Sequence, residues 1–205
     1  KRKLKTMIQS NNKEKLLISF SGGRTSAYMT WWLLNNMQQK YEMIVVFANT
    51  GKERKETLEF VNKCDIEFGF NTVWLEADVR HGERVGTGFK IVSYETASRK
   101  GEPFHEIIKK YGIPNTAYPH CTRELKLSAM RSYLKSLGIN HKEIKTAIGI
   151  REDETRRVSK QQELNNIVYP LINDFPVDKK DVLEWWSKQD FDLEIPEYLG
   201  NCVGC

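Results

Sequence analysis

The chain has 205 residues, 40% of them hydrophobic, and its 32 Lys and Arg against 27 Asp and Glu give a formal net charge of +5. This length fits one ordinary domain with a sizeable core, and a second large domain is not expected. The modest positive charge suits an anionic ligand but is below that of a typical nucleic-acid-binding domain. The sequence shows no membrane-spanning apolar run and no secretory signal, so we expect a cytoplasmic protein without a membrane partner.

The first half of the chain alternates short apolar runs with amphipathic segments. The segments at residues 16–20, 44–47 and 71–76 predict three strands. Large residues at three- and four-residue steps predict helices over residues 25–39 and 53–68. Strands that are joined by helices favour parallel pairing with right-handed crossovers. We therefore predict an α/β fold, a doubly wound, mostly parallel sheet of Rossmann-like type with helices on both faces.

The second half of the chain is predicted to complete this sheet. Residues 77–101 have weak periodicity, and we expect them to form a long loop that covers the carboxyl edge of the sheet as a lid. Helices are predicted over residues 103–111 and 122–137, followed by a strand over residues 145–150. The last predicted helix spans residues 178–189 and has its first residue, an Asp, as N-cap.

The strongest local signal is the sequence SGGRTS, which lies between the first predicted strand and the first predicted helix. Glycine lets a backbone approach a ligand closely, hydroxyl groups donate to phosphate oxygens, and free amides at a helix N-terminus attract anions. A glycine-rich turn with a Ser or Thr cap is the alternative, but the position after a buried strand favours a phosphate loop. The patterns of P-loop NTPases and dinucleotide folds are not present. The predicted phosphate loop consists of Ser21, Gly22, Gly23, Arg24, Thr25 and Ser26.

This loop resembles the SGGxDS loop of the phosphoadenosine phosphosulfate (PAPS) reductase family, within the ATP-pyrophosphatase or adenine nucleotide alpha-hydrolase-like superfamily. Three further segments extend the resemblance, namely FANTG at 47–51, CTRELK at 121–126 and GIREDETRR at 149–157. The resemblance implies an adenine nucleotide alpha-hydrolase-like fold with ATP or PAPS as ligand. Many members have an Asp where this chain has Thr25, which leaves open whether Mg²⁺ accompanies the nucleotide.

The resemblance also implies residues that recognise the base. In the family, the segment after the second strand lies against adenine and ribose. Phe47, Ala48 and Asn49 occupy that segment here and are predicted to contact the base. An ordinary strand-to-helix turn explains the same residues nearly as well.

The segment at 149–157 resembles the family's GxRxxExxxR-like signature. Arg151 is expected to contact phosphate or sulfate oxygens, because a guanidinium group presents forked donors to such anions. Arg156 or Arg157 is expected to provide the second arginine, and Glu154 to hold one of them in place. A solvated helix N-terminus with acidic residues on its dipole is the alternative. The predicted phosphate contacts also include Lys126 and Gly149.

The cysteines resemble the layout of iron–sulfur members of the family, in which a cysteine pair and a later CxxC hold a [4Fe-4S] cluster. Here Cys121 precedes a CxxC formed by Cys202 and Cys205, and His120 stands where the family has an adjacent cysteine. Three thiolates with an open iron, and a zinc site completed by His120, are both compatible with this set. A redox dithiol is a further alternative. Cys64 lies on an apolar helical face and is expected in the core.

These observations divide the chain into a basic tail at residues 1–13, a nucleotide-binding domain at 14–190 and a cysteine-bearing tail at 191–205. The resemblance implies an enzyme of sulfur metabolism that reduces an adenylyl sulfate such as PAPS, with a thiol reductant protein as partner. ATP-dependent thiolation of a tRNA or DNA acceptor is an alternative, and a non-catalytic nucleotide sensor is another. The family's nucleophilic cysteine in an ECGLH-like tail is not present, so the catalytic residue stays open among Cys202, Cys205 and Arg151.

Overall fold

The computed structural model describes residues 13–82, 85–115, 117–196 and 198–203. At its centre is a six-stranded sheet formed by β1 (Glu14–Ser19), β2 (Tyr41–Asn49), β3 (Val73–Asp78), β4 (Gly88–Val92), β5 (Lys145–Ile148) and β6 (Ile167–Val168). The strand order is β4-β3-β2-β1-β5-β6, and only the pairing of β3 with β4 is antiparallel. The predicted doubly wound, mostly parallel α/β fold is confirmed. Apart from residue 13, the predicted basic tail lies outside the described residues.

Helices connect the strands and cover both faces of the sheet. They are α1 (Arg24–Asn36), α2 (Lys55–Phe68), α3 (Glu102–Tyr111), a π-helix (Cys121–Ser128) that continues into α4 (Ala129–Ser136), a 3₁₀ helix (Glu152–Arg157), α5 (Pro170–Asn173) and α6 (Lys179–Trp186). The predicted cap of α6 is confirmed, because the Asp181 amide donates to Asp178 Oδ1 at 2.9 Å. Among the described helices, none combines the length and the apolar character needed to cross a bilayer.

The core consists of two hydrophobic layers, one on each face of the sheet. Alternate residues of β1 supply both layers, since successive side chains of a strand point to opposite faces. Leu16 and Ile18 pack in the layer formed with α1, α2 and α6, whereas Leu17 packs against Met130 and Leu134 of α4. Burial on both faces explains why the strand reads as a continuous apolar run.

Two elements differ from the sequence prediction. The long loop predicted over residues 77–101 is wrong in its middle, because β4 pairs antiparallel with β3 there. This edge strand exposes Lys90 and Ile91 and has no apolar alternation that could signal it. The helix predicted over residues 122–137 begins instead as a π-helix, a form found frequently at functional sites.

The order of the strands places a ligand crevice beside β1. From β1 the chain adds β2, β3 and β4 on one side of the sheet, and it later adds β5 and β6 on the other side. The segments that follow β1 and β5 therefore diverge at the carboxyl edge. In open α/β sheets this topological switch point is where ligands bind.

Candidate functional site

A cavity of about 350 Å³ opens at the carboxyl ends of β1 and β5, and we call it the switch-point cavity. Four of the side chains that line it are basic and one is acidic, so the cavity favours an anionic ligand. Apolar side chains from α6 and the tail form the opposite wall. The lining residues are Ser21, Gly23, Arg24, Thr25, Ser26, Gly149, Arg151, Glu154, Arg157, Lys179, Val182, Leu183, Leu193, Ile195, Pro196, Leu199 and Asn201.

The phosphate loop at residues 21–26 leads directly into α1, which begins at Arg24. Gly23 precedes the helix with extended backbone angles, and within the described residues no side chain caps its N-terminus. The first turn of the helix carries no acidic residue. The first amides of a helix have no partner within it, and they carry the positive end of the helix dipole. This end of α1 is therefore open to an anion in the cavity.

The hydroxyl of Ser26 holds the loop together. It donates to the Gly23 carbonyl at 2.9 Å, accepts from the Ser21 amide at 3.2 Å and lies 2.9 Å from the Ser21 hydroxyl. Ser26 is only 3% exposed, whereas Ser21 is exposed and faces the cavity rim. Of the three loop hydroxyls, Ser21 is thus the exposed one, Thr25 is half-buried and accepts from Arg151, and Ser26 fixes the shape of the loop.

The glycines of the site are required by close packing. Gly22 has a φ of +77°, and a Cβ atom there would lie 2.7 Å from Thr57 Cγ2 of α2. At Gly149, directly after β5, a Cβ atom would lie 2.9 Å from the Cα atom of Ser26. Both contacts are closer than real Cβ atoms tolerate, so only glycine fits. Gly149 thereby lets the end of β5 touch the first turn of α1 and form the floor of the cavity.

Arg151 connects the two halves of the site. Its Nε and Nη2 donate to the Asp153 carboxylate at 2.8 and 3.1 Å, and its Nη1 donates to Thr25 Oγ1 at 3.1 Å. Glu154 lies between Arg151, at 3.3 Å, and Arg157, at 2.6 Å. Burial alone would lower the pKa of Arg151, but the neighbouring carboxylates outweigh this effect and raise that pKa. The guanidinium group therefore stays positively charged. Of the two alternatives for the second arginine, Arg157 lines the cavity and Arg156 is exposed outside it.

The tail forms a wall of the cavity that the sequence analysis did not find. Arg24 Nε donates to Asp192 at 2.7 Å, and the same guanidinium donates to the Leu193 carbonyl. The Asn201 side-chain Nδ2 donates to the Ser21 carbonyl at 3.2 Å. The same atom lies 2.8 Å from the position that a Cβ atom of Gly23 would take. These contacts join residues about 170 positions apart, and no local pattern in the sequence signals them.

The residues that were predicted to recognise the base are not among those that line the cavity. Phe47 is 1% exposed and packs edge-on against Trp74, and Ala48 is buried on the other face. The Asn49 amide donates to Glu76 Oε1 at 2.7 Å and to the Ser98 carbonyl at 2.9 Å. Its side chain thus holds the chain beyond β4 against the sheet edge. The apolar part of the cavity lining comes instead from α6 and the tail.

The structure describes two of the three predicted cysteine ligands, and these two contact different elements. Cys121 packs beside Ala77 at the end of β3, and Cys202 forms a β-bridge with Glu53 after β2. Cys205 lies outside the described residues. Among the residues that the structure does describe, no three His, Cys, Asp or Glu side chains come together as a metal site. The buried Cys64 is in the core, and burial raises the pKa of its thiol.

Three aromatic rings precede the CTRELK segment in the chain. His120 stacks between Tyr111 and Tyr118, and we call these three residues the ring stack. The Arg123 Nη2 donates to His120 Nδ1 at 3.1 Å, so that nitrogen is already engaged. Lys126, predicted to face phosphate, lies half-buried on the π-helix and not in the lining of the switch-point cavity.

Glu124 is a buried carboxylate beside the ring stack. Thr87 Oγ1 donates to its Oε2 at 2.6 Å, and Arg123 Nε donates to its Oε1 at 2.7 Å. Burial would raise the pKa of Glu124, but these hydrogen bonds and the Arg123 charge together lower it. The carboxylate thus stays deprotonated, and the positive charge of Arg123 balances its negative charge.

Comparison with protein families and curated proteins identifies relatives over most of the chain. Residues 15–111 match the family model described as the phosphoadenosine phosphosulfate reductase domain. The nin region protein ORF290 of Escherichia phage lambda is 33% identical over 192 residues, which is 92% of this chain and 64% of the phage protein. Protein MJ0973 of Methanocaldococcus jannaschii is 30% identical over 82% of this chain and 32% of its own length. The chain therefore spans less than two thirds of these relatives.

Two solved structures share the fold. A PAPS reductase from Candida auris, in complex with phosphate, superposes with a TM-score of 0.51 at 16% identity, covering 84% of this chain and 71% of that one. The U34-tRNA thiolase NcsA from Methanococcus maripaludis, with its [4Fe-4S] cluster, superposes with a TM-score of 0.53 at 17% identity, covering 92% and 62%. At this level of identity the likeness establishes the fold alone.

Proposed function

We propose that this chain, whose residues 15–111 match the phosphoadenosine phosphosulfate reductase domain, is an enzyme of sulfur metabolism that binds an adenine nucleotide by its phosphates. One observation carries the proposal. The open N-terminus of α1 and the guanidinium groups of Arg151 and Arg157 belong to the same cavity at the topological switch point.

Each part of the nucleotide has a matching part of the cavity. The first-turn amides of α1 and the Ser21 hydroxyl are donors for phosphate oxygens. Arg151 is oriented by Asp153, which leaves its Nη1 directed at the phosphate loop. A phosphate or sulfate group between this Nη1 and Arg157 gains charge-assisted hydrogen bonds. Leu193 and Leu199 on the opposite wall provide apolar contact for adenine.

The reaction that we propose first is the reduction of an adenylyl sulfate such as PAPS. A thiolate attacks the sulfate sulfur, the bond between that sulfur and the phosphate oxygen breaks, and the nucleotide leaves with its phosphate. The first step leaves an S-sulfocysteine. A second thiol then attacks its Sγ atom, the bond between Sγ and the sulfonate sulfur breaks, sulfite leaves, and an external thiol reductant reduces the disulfide that remains. The cations of the cavity stabilise the negative charge on the leaving phosphate. We assign the attacking thiolate to Cys202, which directly follows Asn201 of the cavity lining in the sequence.

ATP-dependent thiolation of a tRNA or DNA acceptor is the second candidate. The ring stack beside Cys121 favours it, since exposed aromatic rings next to basic residues suit nucleic acid. In this reaction ATP adenylates the acceptor, and a sulfide displaces the adenylate.

The described residues do not by themselves form a site for a [4Fe-4S] cluster or a zinc ion. We therefore assign no step of either reaction to a metal. The proposed ligand set of Cys121, Cys202 and Cys205 is tested by iron, zinc and acid-labile sulfide analysis of protein purified without oxygen. Loss of metal in Cys121→Ala supports the set, and unchanged metal content refutes it.

The function is tested by following two products and nucleotide binding with purified protein. Sulfite from PAPS and a thiol reductant supports the reductase, and pyrophosphate from ATP with a nucleic-acid acceptor supports thiolation. Nucleotide binding without either product supports a non-catalytic sensor. Arg151→Met is expected to weaken nucleotide binding, whereas Arg156→Met is the matched control, because Arg156 is exposed outside the cavity on the same 3₁₀ helix. Equal binding by both variants and the wild type would remove the switch-point cavity as the nucleotide site.

A further inference from the structure

We propose that the ring stack and the basic cavity beside it form a binding site for single-stranded nucleic acid. This site lies on the α3 and α4 side of the molecule and shares no residue with the switch-point cavity. The proposal goes beyond nucleotide binding and names the surface that the second candidate function requires.

The ring stack presents flat aromatic faces in nearly parallel planes. The rings of Tyr118 and His120 are 6.1 Å apart between centroids with planes inclined by 15°, and those of His120 and Tyr111 are 5.5 Å apart at 21°. Tyr118, at the outer end, is 63% exposed. An unpaired base can stack on such a face, whereas a base within a duplex has both of its faces covered.

Cations accompany the rings. The Arg123 guanidinium lies 5.6 Å from the centroid of the Tyr111 ring, and Lys110 Nζ lies 5.1 Å from it. The Arg123 side chain is 54% exposed although it also pairs with Glu124. Aromatic rings with cations beside them match a strand that carries both bases and phosphates.

A second cavity, of about 780 Å³, continues from the ring stack. Tyr111 belongs to both. Arg131 and Lys135 of α4 line the cavity farther along, together with His141, which follows that helix. Its acidic residue, Glu124, is already hydrogen-bonded to Thr87 and paired with Arg123. Burial and the positive charge of Arg131 lower the pKa of His141, which agrees with a positive potential in the cavity.

The charge of this cavity determines the occupant that we assign to it. Because Glu124 is paired with Arg123 and hydrogen-bonded by Ser128, Arg131 and Lys135 are the charges that a ligand meets, and Ser132 between them adds a hydroxyl group. Phosphates of a strand that enters over Tyr118 would meet these groups after the bases have stacked. Base stacking and phosphate pairing along one continuous surface are the two features of sequence-independent single-strand binding.

The test is fluorescence anisotropy with labelled single-stranded RNA and DNA, and with the matching duplex, in the absence of ATP. We expect the wild type to bind the single strand more tightly than the duplex. Tyr118→Ala should weaken single-strand binding between about 5-fold and 150-fold, the loss of one stacked base. Tyr118→Phe should bind like the wild type because it keeps the ring. Tyr198→Ala is the matched control, since Tyr198 is an 86% exposed tyrosine outside the ring stack.

The salt dependence tests the cationic half of the site. Arg131→Ala and Lys135→Ala each remove one cation that pairs with a phosphate, so each should reduce the slope of log K against log salt concentration by about 0.7. Thermal unfolding of each variant confirms that it is folded. Tighter binding of the duplex, wild-type affinity in Tyr118→Ala or unchanged slopes in both cation variants overturns the proposal. Arg151→Met separates the two sites, because it should lose nucleotide affinity and keep oligonucleotide affinity.

Discussion

Replacing Gly149 with Ala tests the close approach that forms the floor of the switch-point cavity. A Cβ atom at residue 149 would lie 2.9 Å from the Cα atom of Ser26 and 3.2 Å from its backbone nitrogen. Backbone atoms cannot rotate away as a flexible side chain can, so the end of β5 or the first turn of α1 must shift. Overpacking of this kind costs about 1–3 kcal/mol of the free energy of unfolding. The same shift moves the α1 amides that we propose to bind phosphate.

Urea unfolding followed by tryptophan fluorescence measures the free energy of unfolding, and calorimetric titration with ATP and PAPS measures the affinity. We expect Gly149→Ala to lower both quantities. Gly86→Ala is the matched control, because a Cβ atom there meets no heavy atom within 4 Å. In an open position the same change stabilises by about 0.4–1 kcal/mol through the unfolded chain. Wild-type stability together with wild-type affinity in Gly149→Ala would refute the reasoning.

Three further predictions concern the same regions. Arg151→Met should lower nucleotide affinity about 10- to 150-fold, the value of a hydrogen bond from a charged group, as measured by calorimetric titration; an unchanged affinity would contradict its role. Asn201→Ala removes the hydrogen bond to the Ser21 carbonyl, so it should lower stability by about 0.5–1.5 kcal/mol and speed hydrogen exchange in the tail, and equal exchange would show that the tail is held elsewhere. Glu124→Gln tests pH dependence. Because the folded protein lowers the pKa of Glu124, the carboxylate stabilises the fold above the ordinary glutamate range, and this stabilisation is lost as the pH falls through the lowered value. The difference in unfolding free energy between wild type and variant should therefore shrink in acid, and a difference that grows in acid would be inconsistent with the lowered pKa.

The sequence was sufficient to predict the central strands and their connecting helices. A strand that is buried on both faces of the sheet consists of consecutive apolar residues, and this pattern is visible in the sequence. The run from Leu16 to Phe20 and the periodic residues of α1 are examples. It was insufficient for β4 and β6. The former exposes half of its side chains at a sheet edge, and the latter, Ile167–Val168, has two residues, which is too short for any periodicity.

The site was predictable only where its residues follow strands. The phosphate loop and Arg151 stand at the ends of β1 and β5, which topology alone places side by side. Leu193 and Asn201 of the opposite wall are brought there by tertiary contacts with Arg24 and Ser21, and their sequence neighbourhood is irregular. The π-helix could not be found from the sequence either, because its geometry departs from the 3.6-residue period used to recognise helices.

The contacts of the tail also have a consequence for biosynthesis. Arg24 contacts Asp192, and Ser21 contacts Asn201. The ribosome therefore synthesises one wall of the switch-point cavity long before the other. Domains fold during synthesis from the N-terminal side, and β1, α1 and β2 can assemble early. A ribosome-bound chain that has not yet released residues 192–201 therefore has the phosphate loop but lacks the enclosing wall. The proposed nucleotide site is therefore complete only after residues 192–201 have left the ribosome.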